Sequence, residues 1–77
     1  MKKKKFDTFG QRLRLMMFER DLSGVTLAEM VGVNQNTISM WLKDRRNPSV
    51  ATFMMLVEAL ELTDEEIIDW LKLLRGK

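Results

Sequence analysis

From Thr8 onward, apolar side chains recur at intervals of three and four residues, and nowhere do they alternate with polar ones over a strand's length. That period belongs to helices buried along one face, so the chain is predicted to be all-α. Capping and breaking residues divide it into five segments. Thr8 and Gln11 stand at capping-box spacing, and Phe9, Leu13, Met16, Met17 and Arg20 follow on a first helix over about 9–20. Asp21-Leu22 ends it. Ser23 is the N-cap of a short second helix holding Leu27, Ala28 and Val31, and Gly32 stops that helix where a left-handed backbone is cheap. Asn34 caps a third helix, about 34–43, with Ile38, Trp41 and Leu42 inward. Asp44 to Ser49 is a polar loop with the only proline, Pro48. A fourth helix, roughly 50–60, turns Val50, Phe53, Leu56, Val57 and Leu60 to the core. Thr63 caps a fifth, with Asp64, Glu65 and Glu66 in its first turn, where they complement the helix dipole.

With 77 residues there is room for one small domain. Neither cysteine nor histidine occurs, which removes disulfides, thiolate zinc sites, Ser-His-Asp triads and Cys-His dyads. The composition therefore argues against an enzyme, and the 45% of apolar residues must build the core unaided. Charge is unevenly spread: residues 1–48 carry ten basic and five acidic side chains, whereas 49–77 carry three and six. A basic face for a polyanion is the expectation. Residues 1–6, with the run Lys2–Lys5, read as a basic flexible arm preceding a single domain over 7–77. The arm either touches the phosphates of such a polyanion or only aids solubility. Phe6-Asp7-Thr8-Phe9-Gly10 is not the apolar stretch of a signal peptide, and nothing approaches the roughly 18 apolar residues that span a bilayer. A soluble, cytoplasmic protein is expected.

Gly24 to Trp41 reads as a helix-turn-helix. Two helices crossing steeply over a tight turn need a small residue at the crossing and a turn residue that tolerates positive φ. Ala28 and Gly32 occupy those places, and the inward positions Leu27, Val31, Val33, Ile38 and Trp41 are all apolar. A generic helical hairpin is the plainer alternative.

Here the sequence resembles the phage repressor and Cro-like helix-turn-helix domains, the xenobiotic-response-element family. The resemblance is carried by Leu27-Ala28-Glu29-Met30-Val31-Gly32-Val33, Thr37-Ile38-Ser39, Arg45-Arg46-Asn47-Pro48-Ser49 and the Ala59-Leu60 pair before Leu62, and covers about Phe9 to Leu71. It implies a compact five-helix, lambda-repressor-like domain whose helices two and three form the motif. The third helix then enters the major groove of double-stranded DNA, generally as a homodimer on a palindromic operator. No cofactor is expected.

The residues support that role independently. Gln35 and Asn36 open the third helix, with Ser39 and Met40 a turn later. Gln and Asn amides pair bidentately with adenine, Ser bonds to several bases, and Met can touch a thymine methyl. Phosphate contacts are expected from Lys43, Arg45, Arg46 and Asn47 after that helix, from Thr37, and from the Gly24 amide at the start of helix two. Arg12 and Arg14 on helix one are weaker candidates. An arginine-rich loop is often only a solvated turn; its place beside the third helix is what points to DNA.

Two features depart from the family. Many relatives begin helix two with a phosphate-gripping glutamine where this chain has Gly24, which lowers the expected affinity. Relatives commonly bury an arginine of helix one against a glutamate ending helix three; the matching residues here are Met17 and Leu42. Losing one partner of a buried pair costs about 3–5 kcal/mol, but replacing both with packed hydrophobes is often neutral or stabilising.

Six of the eight residues 67–74 are apolar, more than one helix face can hide, and Met54 and Met55 add to the surplus. Met54, Met55, Ile68, Leu73 and Leu74 are therefore candidate homodimer contacts. Two-fold symmetry would set the third helices about 34 Å apart, one turn of DNA. The expected function is a small transcriptional regulator, a repressor of phage or mobile-element type in a bacterium. One rival is a protein-binding module or antitoxin using helices four and five. The other is an enzyme, supported only by the Asp64, Glu65, Glu66, Asp69 cluster as a Mg²⁺ site.

Overall fold

The computed structural model describes residues 8–75. The predicted arm over 1–6 lies outside the described residues. Five helices follow in order: α1 Phe9–Glu19, α2 Gly24–Val31, α3 Gln35–Leu42, α4 Val50–Leu60 and α5 Asp64–Arg75. Each begins on a polar side chain that satisfies an amide the helix itself leaves unbonded. Thr8 Oγ accepts from Gln11 N at 3.1 Å, and Ser23 Oγ from Thr26 N at 3.1 Å. Asn34 Oδ1 accepts from Thr37 N at 3.0 Å, and Ser49 Oγ from Thr52 N at 3.2 Å. At α5 the capping box is reciprocal: Thr63 Oγ accepts from Glu66 N at 3.2 Å, while Thr63 N donates to Glu66 Oε1 at 2.9 Å.

The first four helices also end alike. A left-handed residue follows each, namely Asp21 (φ 56°), Gly32 (φ 84°), Asp44 (φ 59°) and Glu61 (φ 54°). The next amide reaches back five residues: Leu22 N to Met17 O, Val33 N to Ala28 O, Arg45 N to Met40 O, and Leu62 N to Val57 O, at 2.8–3.1 Å. This is the closure of a helix that reverses sharply, and an apolar residue usually packs inward after it. Leu22, Val33 and Leu62 do so. Arg45, at the end of α3, does not; it is exposed.

The turns let α2 and α3 pack on each other, α1 pack on α3 and α5, and α4 pack on α2. Inside lies an apolar cluster from all five helices, including Leu13, Met17, Leu27, Ala28, Val31, Ile38, Trp41, Phe53, Leu56, Leu60 and Trp70. Phe9 joins its two ends. Its ring meets Trp41 of α3 edge-on at 6.4 Å and Trp70 of α5 edge-on at 5.3 Å. The Trp70 ring is fully buried, and its Nε1 has no hydrogen-bond partner among the described residues. Met17 is buried and Leu42 packs half-buried on the same cluster, so both departures from the family's ion pair are apolar packing positions.

One core expectation fails. Val50 is 81% exposed rather than inward, because it is the first residue of α4 and lies beyond the turn in which Phe53 reaches the core.

Candidate nucleic-acid interface

Ile38 and Trp41 are three residues apart and both buried, so they fix which side of α3 faces the domain. Asn36 is exposed on the opposite side, Gln35 is exposed on the flank next to Ile38 at the start of the helix, and Ser39 and Met40 are half-exposed a turn later. The four predicted base-reading residues thus share an accessible helix, held from behind by packing.

Around it, Arg14 of α1, Gly24 at the start of α2, and Gln35, Ser39 and Lys43 line one concavity of about 230 Å³, floored by Ile38 and Leu42. A β-carbon on Gly24 would find only Gln35 Cγ and Ile38 Cγ2 nearby, both at 4.0 Å, so that end of the concavity is open. Arg45, Arg46 and Asn47 are exposed in the loop after α3. That loop is anchored at its first two residues, Asp44 and Arg45. The Arg45 amide holds the Met40 carbonyl at 2.9 Å, and Asp44 Oδ1 accepts from the Gly10 amide at 2.9 Å.

The Gly10 contact has no room to spare. A β-carbon there would lie 2.6 Å from Leu42 O and 2.7 Å from both Trp41 O and Asp44 Oδ2. The bare backbone of α1 therefore sits directly on the end of α3, and the Asp44 carboxylate supplies negative charge at the α1 N-terminus, where the dipole favours it. Neither residue stood out in the sequence. The available signal was a glycine inside a helical segment, a destabilising choice unless a neighbouring backbone needs the space.

Two other candidates are placed differently. The Thr37 hydroxyl donates to Asn34 Oδ1 at 3.3 Å, so its hydrogen is engaged in the α3 cap. Arg12 turns toward α5, with Nη1 4.0 Å from Asp69 Oδ2, and does not line the concavity. Among the described residues, no group of three or more His, Cys, Asp or Glu side chains is placed to hold a metal ion. Glu66, of the cluster considered for Mg²⁺, is instead bonded to Thr63. No described helix is long and apolar enough to cross a membrane.

The proposed dimer residues divide. Met54, Met55 and Ile68 are 60%, 44% and 55% exposed, while Leu73 and Leu74 are half-buried against the core. Leu71, not singled out by its spacing, is 44% exposed. With Pro48, Ser49, Val50, Phe53 and Leu74 it lines an apolar groove of about 220 Å³.

What the arrangement offers is a helix with amides outward and cations beside it, suited to a polyanion whose edges carry donors and acceptors. Comparison with curated proteins and with solved structures gives no match. A family model described as helix-turn-helix matches residues 12–67, which takes in α2, α3 and the turn between them. The chain belongs to the Cro/C1-type helix-turn-helix family of DNA-binding transcription regulators.

Proposed function

We propose that this protein is a sequence-specific repressor of phage or mobile-element type, acting in the bacterial cytoplasm, that lays α3 in the DNA major groove. The observation that carries this is the exposure of Gln35 and Asn36 on a helix that Ile38 and Trp41 lock into the core. Gln35, Asn36 and Ser39 read base edges, and Met40 meets a thymine methyl. Gly24 through its amide, with Lys43, Arg45, Arg46, Asn47 and, more weakly, Thr37, holds phosphates. Arg45 supports this role because it occupies the place where three other helices bury an apolar side chain. The arm at 1–6 precedes a single domain over 7–77.

The operator is a palindrome bound by a homodimer. Support comes from the exposed apolar side chains Val50, Met54, Met55, Ile68 and Leu71 on α4 and α5, which a second copy would cover in part. The same groove favours a second reading, a module that holds a protein partner there, as an antitoxin does. Selection of bound duplexes from a random pool tests both. A palindromic motif is expected; recovery of no motif, together with a salt-insensitive protein complex, would favour the partner module instead.

A further inference from the structure

We propose that Arg14, on α1, is a DNA-phosphate contact, working with Lys43 across the concavity beside α3. This rests on the DNA-binding role above and extends it to a helix outside the helix-turn-helix motif. Arg14 and Lys43 line the same concavity, and no carboxylate lines it with them. Both side chains belong to exposed residues, and neither has an ion-pair partner among the described residues. Two cations with no counter-charge among the described residues repel each other across a shared hollow, and an anion entering it removes that repulsion.

The hollow is also unobstructed on its α2 side. Its α2 wall is Gly24, which brings backbone and no side chain, with only ordinary contact distances around the missing β-carbon. Gln35 and Ser39 line the same hollow, so the side chains proposed to read bases and Arg14 border one space. Arg12 supplies the contrast. Two residues earlier on α1 means about 200° round the axis, and Arg12 is there beside Asp69 of α5. One arginine serves the fold's flank and the other the groove.

The test is the salt dependence of binding to a selected duplex and to a random one, by fluorescence anisotropy between 50 and 200 mM KCl, for the parent protein, Arg14→Gln, Arg14→Lys and Arg12→Gln. Losing one phosphate contact lowers the slope of log K against log salt by about one unit. Over that salt range the affinity of Arg14→Gln should then fall about 3.5-fold less than the parent's. Both duplexes should weaken alike, Arg14→Lys should keep the parent slope, and Arg12→Gln should match the parent. If Arg14→Gln keeps the parent slope while the parent binds, this proposal is overturned alone. A parent that binds neither duplex overturns it together with the DNA-binding role. Thermal melts of each variant confirm that binding losses are not losses of fold.

Discussion

At the scale of single residues, two glycines make opposite demands. Gly10 has three oxygen atoms, two of them backbone, where a β-carbon would go. Gly10→Ala should therefore push α1 off the end of α3 and destabilise the domain by about 1–3 kcal/mol, as overpacking does; urea denaturation measures it. Gly24 opens a helix with free space around it and an ordinary negative φ. Gly24→Ala should raise stability by about 0.4–1 kcal/mol, chiefly by restricting the unfolded chain. An unchanged or lower melting temperature would contradict that. Gly32 was legible from sequence, because a turn between two helical periods calls for positive φ and glycine supplies it. Gly10 was not, because its reason lies in α3 and its loop, more than thirty residues away.

At the scale of elements, the helix starts were readable because caps act within three residues of their target. The stops were harder. Asp21, Asp44 and Glu61 adopt the left-handed backbone that sequence patterns reserve for glycine, held there by the amide that reaches back five residues. Such a conformation costs an L-residue about 1–2 kcal/mol, partly offset in glycine by its greater unfolded freedom. Glu61→Gly should thus stabilise the domain by about 0.5–1 kcal/mol in a thermal melt. Asp44 is different, because its carboxylate also caps α1. Asp44→Ala should cost about 1–2 kcal/mol, as losing an N-cap does. Asp44→Asn, which keeps an acceptor and tolerates the same φ, should cost less than half of that in the same melt. Val50 shows the limit of periodicity: spacing gives a residue's side of the helix but not whether the core extends that far along it.

At the scale of the whole molecule, α3 and the groove between α4 and α5 make two chemically distinct faces. One carries amides and cations, and the other carries Val50, Met54 and Leu71. The surplus of apolar residues in α5 was visible in the sequence, but their division was not. Leu73 and Leu74 turned half inward, while Leu71 was left on the rim, since only the packing of α5 on α1 decides which stripe is covered. If a second copy covers this face, Met54→Lys with Leu71→Lys should shift sedimentation equilibrium from dimer toward monomer. The fold should be nearly untouched, because exposed substitutions change stability by only about 0.5 kcal/mol. A parent that sediments as a monomer at every concentration would remove the dimer. The other face is tested most directly by measuring Gln35→Ala against a selected duplex and against duplexes changed one base pair at a time. Binding to the selected duplex should weaken by about 1–3 kcal/mol, with discrimination lost at one base position and kept at the others. Affinity and base preference identical to the parent's would mean that the exposed side of α3 does not read DNA.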